Sequence, residues 1–345
     1  MKSNLLIILF LTLTVCSFAQ TQIKGFNDIQ GGNVNPAGGQ ALHGVLVGQF
    51  DLFITSRIND NTSFLAETVF EWDPASNSWK LDLERAIVRY SFTNLINVSA
   101  GKFHSPFGYW NNAYHHGSVI QPTIQRPNIV RFEDEGGFLP IHQVGIQLDG
   151  SGISKLNLGY TVLLSNGQNQ GNSGGGPTPS YNSSMALSWA VNMEPVDGLK
   201  FILSGHENNV PKGTTTYQGV LLPEDSYYRM SNASVAYFLG SLPIEVCAEY
   251  YNISNRMATS GSSRLNGFLG YVGFTKYKII PYLVYNSIQF QNAEKFFVKN
   301  NLDGLTAGLR YSVSSNAVLK LEYARENTQL LNAQDLIRAQ FAIGF

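Results

Sequence analysis

The 345 residues carry 23 Lys and Arg against 24 Asp and Glu, a formal net charge of −1, which leaves no basic footprint for a nucleic-acid partner. Only 14 % of residues are charged and 12 % are aromatic, whereas an average soluble domain is about 25 % charged. The two cysteines, Cys16 and Cys247, exclude a disulfide-stapled scaffold.

Residues 1–19 read as a secretory signal peptide. Lys2 supplies the charged start, Leu5 to Val15 the short apolar run, and Ser17-Phe18-Ala19 the small residues before cleavage. The run is too short for a membrane-spanning helix. A lipid anchor on Cys16 fits poorly, because Val15 precedes it. The mature chain, 20–345, then has a net charge of −2 and keeps Cys247 alone. It contains no run of eighteen apolar residues, so helical spans are not expected. An exported, charge-poor, Tyr- and Phe-rich chain is either a secreted β-sandwich or an outer-membrane β-barrel.

The first strand candidate is 22–30, followed by 41–57 and a turn near 58–62. Glu67 and Glu71 lie on the polar face of the next strand, and Arg85 and Arg89 on that of the strand after the 73–80 connection. Both arginines oppose Ala86, Val88, Tyr90 and Phe92. The spacing pairs Glu67 with Arg89 and Glu71 with Arg85 as cross-strand ion pairs on a wet wall, each contributing roughly 0.2–1 kcal/mol. Further along, Ile244, Val246, Ala248 and Tyr250 oppose Glu245, Cys247 and Glu249. Leu305, Leu309 and Tyr311 oppose Arg310, and Leu319, Leu321 and Tyr323 oppose Lys320 and Glu322. The last segment alternates Ile337, Ala339, Phe341, Ile343 and Phe345 with Arg338 and Gln340. Period-two alternation of this kind is the signature of strands with one apolar and one polar face.

Short connections are expected at 92–95, 149–152, 195–198, 239–243, 277–278 and 314–317, where turn residues cluster. Long ones are expected at 73–80, 104–141, 165–182, 208–226, 254–263, 290–301 and 327–335. Strict alternation of short and long is what a transmembrane barrel requires, with short periplasmic turns and longer external loops. Parity then gives an all-β, antiparallel barrel of sixteen strands with both ends periplasmic. A barrel of that size holds an aqueous channel rather than a packed core.

The stretch INVSAGKFHSPFGYW, with Gly101, Lys102, Phe103, Pro106, Phe107 and Gly108, resembles a segment of the phosphate-selective porin O/P-like porins. The resemblance implies a passive outer-membrane channel in a Gram-negative cell, assembled as a homotrimer. The terminal Phe345 resembles the signal read by the barrel-assembly machinery. Outer-membrane lipid and small polar solutes are the other partners implied, and no cofactor is. Phosphate selectivity does not carry over. The candidate lumen wall mixes Arg85, Arg89, Arg310, Lys320 and Arg338 with Glu67, Glu71 and Glu322.

Residues 104–141 form the longest connection, beyond the roughly 12–15 residues at which an unstructured loop is usually functional or disordered. Their aromatics argue against disorder. As the third external loop, the stretch is expected to fold inward and narrow the lumen. Arg126 and Arg131 facing Glu133, Asp134 and Glu135 would set a transverse field for sorting solutes. His115, His116 and His142 complete the candidate constriction. An alternative is that the acidic triplet anchors the loop by pairing with Arg85 and Arg89.

A metal site is not expected, because His115 and His116 are adjacent and diverge, and no H-x-x-x-H or C-x-x-C spacing exists. Catalysis is not expected either. His104 or His142 pairing with Ser105 or Ser118 lacks a third member, and GNSGGG at 171–176 lacks the Lys-Ser/Thr of a phosphate cradle. The expected function is a passive channel for small hydrophilic solutes or ions. The alternative is a non-conducting barrel that acts as a binding or scaffold protein.

Overall fold

The computed structural model describes residues 20–34, 42–73, 78–115, 117–133, 135–168, 185–238, 241–291, 294–330 and 333–345. The expected signal peptide, His116, Asp134 and the 171–176 glycines lie outside these residues. The strands in chain order begin with β1 (Gln20–Val34), β2 (Leu42–Arg57), β3 (Thr62–Asp73) and β4 (Ser78–Thr93). Next come β5 (Ile96–His104), β6 (His142–Ile153), β7 (Leu158–Asn166) and β8 (Met185–Val196). The second half holds β9 (Leu199–Val210), β10 (Ser226–Tyr237), β11 (Ile244–Met257) and β12 (Gly261–Phe274). The set ends with β13 (Ile279–Gln291), β14 (Leu302–Ser314), β15 (Ala317–Thr328) and β16 (Gln334–Gly344). Each pairs antiparallel with its chain neighbours, and β1 pairs with β16 to close the barrel.

Closure removes the sheet edges, which is the condition for backbone in hydrocarbon. At the seam, Phe26 lies opposite Gly344, and Gly25 and Phe345 exchange two backbone hydrogen bonds of 3.0 Å. The Phe345 ring stacks on Phe50, 6.0 Å between centroids.

The alternation in the sequence sorts inside from outside. Val88, Tyr90, Phe92, Tyr250, Leu309, Leu319, Tyr323, Ile337 and Phe341 are exposed on the outer surface. Their neighbours Glu245, Cys247, Glu249, Lys320, Glu322, Arg338 and Gln340 are buried inside. An apolar outer band on this scale is far beyond what a soluble monomer exposes. It is the lipid face of an outer-membrane barrel. Among the described residues no helix is long and apolar enough to cross a membrane.

Three expected connections are displaced or shortened. The turn placed at 149–152 lies at 154–157, where Ser154 and Asn157 take positive φ. Strand pairing runs on through a register shift between Gly150 and Ile153, with Gly152 at φ 77°. The long connection expected at 254–263 is only 258–260, because β11 and β12 stay paired as far as Met257 and Gly261. The β3–β4 connection, expected long at 73–80, is also short, since β3 ends at Asp73 and β4 begins at Ser78, so the rule of long outside and short inside fails at these two hairpins while the strand count holds.

The lumen departs from the water-filled expectation. Loop residues Phe107, Trp110, Ile129, Phe132 and Phe138 form one buried apolar cluster with Tyr228, Tyr251, Ile253, Leu269 and Tyr282 of the wall. Phe296 and Phe297, between β13 and β14, join it. Each large apolar side chain so buried contributes roughly 1.5–3 kcal/mol.

Candidate functional site: the loop across the lumen

Residues 105–141 leave the wall between β5 and β6 and cross to the opposite side. Ser105 N–H donates to the Ile141 carbonyl and closes the base of the loop. The chain then turns at Gly108, with φ 62°. A Cβ there would lie 2.1 Å from Tyr251 Oη and 2.3 Å from Glu249 Oε2, so only glycine allows the backbone this close to β11. A one-turn helix, α1 (Tyr109–Ala113), follows. Its Trp110 N–H donates to Glu249 at 2.5 Å, and the indole meets Tyr271 edge-on at 5.7 Å.

Further along, Ile124 N–H donates to Glu322 at 2.7 Å. Lys320 Nζ donates to the Ser118 and Thr123 carbonyls at 2.6 and 3.0 Å. A 3-10 turn at Asn128–Val130 seats Ile129 over Gly267 of β12. The return leg is held by Tyr228 Oη, which donates to the Phe138 carbonyl at 3.0 Å. The loop is therefore fixed at both β11 and β15.

Several expected pairings are replaced. Among the described residues, Arg126 forms no ion pair with Glu133 or Glu135, although both carboxylates act on its charge. Its guanidinium donates to the Val130, Tyr114 and His115 carbonyls and to Asn111 Oδ1, at 2.6–3.0 Å, and lies over the Phe132 ring at 4.1 Å. Burial pushes its pKa down to about 10, so it stays cationic at neutral pH. Arg131 donates to Asn128. Glu133 accepts the backbone N–H of His142 at 2.7 Å and the His142 ring at 3.0 Å. Glu133 is buried, whereas Glu135 is exposed, beside Arg131, at a hollow of about 300 Å³ on the external side.

The wall pairs are also different. Arg85 bonds Glu67 at 2.5 Å, and Arg89 forms a two-pronged pair with Asp149 of β6 at 2.6 and 3.2 Å. Glu71 sits opposite Lys80 in register. The cause is the hairpin register, in which Asp73 pairs with Ser78 and Ser63 with Arg89, while a bulge at the Glu67/Thr68 step inserts one further residue in β4. The anchoring reading through Arg85 and Arg89 is thereby corrected: a histidine, not an arginine, takes Glu133. Arg310 pairs with Glu245 at 2.8 Å, and Arg338 lies 3.9 Å from Glu322.

The same bulge sets a group that sequence reasoning missed. Glu84 is the extra residue of β4, and it meets His104, His115 and His142, with donor atoms all within 4.8 Å of one another. The expectation of diverging imidazoles concerned His115 and His116, and His116 lies outside the described residues. His104 and His142 are cross-strand partners at the ends of β5 and β6, and the loop brings His115 onto them. No local spacing encodes that meeting. Ser105 Oγ donates to the Pro140 carbonyl, and the Gln143 amide donates to that Oγ at 2.5 Å.

No protein-family model and no curated protein sequence matches the chain, so the specific phosphate-selective family is not confirmed. Solved structures do match. An anion-selective porin from Comamonas acidovorans has a TM-score of 0.66 at 13 % identity, over 94 % of this chain and 99 % of that one. The outer membrane channel DcaP of Acinetobacter baumannii has a TM-score of 0.63 at 10 % identity, over 94 % and 97 %. OmpT, an outer membrane protein of Vibrio cholerae in its trimer form, has 0.59 at 11 %, over 94 % and 98 %. At these identities the likeness is one of fold: this chain has the sixteen-stranded architecture of outer-membrane porins.

Proposed function

We propose that the protein is a passive outer-membrane channel for small hydrophilic solutes or ions, narrowed by the 105–141 loop. One observation carries the reading: the loop crosses the lumen between two separate hollows. The external one, about 300 Å³, is lined by Asn128, Arg131, Glu135 and Asn300. The inner one, about 410 Å³, is lined by Tyr109, Asn112, Lys200 and Glu194 near the periplasmic turn. A solute passing between them must pass the loop, and both mouths carry mixed charge. Mixed charge favours sorting by size and polarity over strong ion selectivity. The solved channels of this fold support the same reading. Homotrimer assembly, insertion through Phe345 by the barrel-assembly machinery, and the absence of catalysis belong to this proposal.

The second reading, a non-conducting barrel that binds or scaffolds, is favoured by the apolar cluster between loop and wall. Conductance of the purified protein in a planar bilayer separates the two. The channel reading expects discrete steps, and larger steps when 107–139 is replaced by a short Gly-Ser turn. Silence from the full chain, with steps only after the loop is removed, would establish the plugged barrel instead.

A further inference from the structure

We propose that Glu84, His104, His115 and His142 bind one first-row divalent transition-metal ion, zinc the best match, which fastens the 105–141 loop to the barrel wall. Three imidazoles and one carboxylate are a donor set for zinc, copper or nickel, not for calcium or magnesium. Zinc with bonds of about 2.0–2.1 Å places tetrahedral donors about 3.3 Å apart. The donor spacings straddle that value. His115 Nε2 and His142 Nε2 are 2.9 Å apart, and Glu84 Oε2 lies 3.8 Å from His115 and 3.9 Å from His104.

The hydrogen bonds behind the cluster prepare it for a cation. Asn111 donates its amide to the Ser105 carbonyl and accepts Arg126 on Oδ1, which fixes that oxygen as an acceptor. His115 Nδ1, 3.0 Å from the same oxygen, must therefore donate. His142 Nδ1 likewise donates to the Glu133 carboxylate at 3.0 Å. Both neutral rings then direct an Nε2 lone pair at the other across 2.9 Å. Two lone pairs at that distance require a cation between or beside them, a proton or a metal. Nδ1–H held by a carboxylate or amide oxygen is the usual support of a metal-binding imidazole.

The chain geometry points the same way. The β4 bulge turns Glu84 inward beside Arg85, and bulges serve to re-aim side chains. The four residues come from β4, β5, the loop and β6, so one ion would tie the loop to three strands. The competing occupant is a proton shared by His142 Nε2 and Glu84 Oε2, which are 2.5 Å apart.

The test uses the full chain in detergent micelles, stripped with a chelator and titrated with zinc, with bound metal counted by mass spectrometry. One zinc per chain is expected at micromolar zinc. Cobalt in its place should give the visible absorption of a four-coordinate ion. H142Q and H115Q should each weaken binding at least about tenfold, and E133Q by roughly 10–100-fold through loss of the Nδ1 support. Heat-modifiable gel mobility reports whether each variant is folded. Should H142Q not fold, H115Q carries the comparison, since it lies outside the strands. A wild-type protein that retains less than about 0.1 zinc per chain would leave the proton as occupant and overturn the site. Equal binding by wild type and folded H115Q would overturn it too. Neither result depends on whether the barrel conducts.

Discussion

Trp110 N–H donates to Glu249 Oε1 at 2.5 Å, joining the first turn of α1 to β11 139 residues later in the chain. The other carboxylate oxygen accepts Tyr251 Oη at 2.5 Å. Glu249→Leu would strand two buried donors, each costing roughly 1–3 kcal/mol. The expected result is a lower unfolding temperature in micelles and faster protease cleavage within 105–141. Glu249→Gln keeps an acceptor and should lose less. Equal behaviour of the leucine variant and the wild type would remove this contact from the account of the loop.

Selectivity should rest on the charges lining the external hollow, half-buried Arg131 and exposed Glu135. Glu135→Gln removes negative potential and should move the reversal potential toward anions. Arg131→Gln should move it toward cations. Both shifts should shrink as salt rises from 0.1 M to 1 M, where the Debye length falls from about 10 Å to about 3 Å. Unchanged reversal potentials in both variants would place the selecting charges elsewhere.

The pH dependence of one external contact follows from Glu224, between β9 and β10. Ser260 Oγ and the Thr259 and Ser260 N–H groups donate to its carboxylate at 2.5–2.8 Å. The Ser260 hydroxyl first, then the Thr259 N–H, lower its pKa from the ordinary 4.5 to about 2. A depressed carboxylate stabilises the folded contact fully above its unfolded pKa. That contribution is lost as pH falls from 4.5 through about 2. Amide exchange at Thr259 and Ser260, corrected for intrinsic rates, should lose protection over that window. In Glu224→Gln, protection should be low and flat with pH. A wild type with no loss over the window would contradict the assignment.

Removing Phe345 should impair closure at the seam. The residue supplies two backbone hydrogen bonds to Gly25 and a ring stacked on Phe50. The deletion should lower the fraction of heat-modifiable, folded barrel recovered from membranes. Phe345→Ala retains the backbone bonds and should fall between deletion and wild type. Full recovery of the deletion would mean that neither seam contact nor terminal signal limits assembly.

By itself, the sequence determined the number of strands and, where apolar and polar residues alternate, which face meets lipid; segments such as 263–290, apolar on both faces, set no direction. Alternation such as Leu319-Lys320-Leu321-Glu322-Tyr323 is a local property, and in a strand it has only two possible faces. The aromatics of 105–141 also marked that stretch as ordered, since leaving Trp110 and Phe138 in water is costly. Tertiary structure decided what those residues touch. Arg89 meets Asp149 rather than Glu67, because the β3–β4 hairpin register sets Ser63 opposite Arg89 and Glu67 opposite Arg85. Lys320 and Glu322 hold loop backbone rather than face open water. His104, His115 and His142 converge because β5 pairs with β6 while the loop folds back on both. Bulge positions and loop landings are set by which long-range contacts are jointly satisfied, and no window of neighbouring residues contains that information.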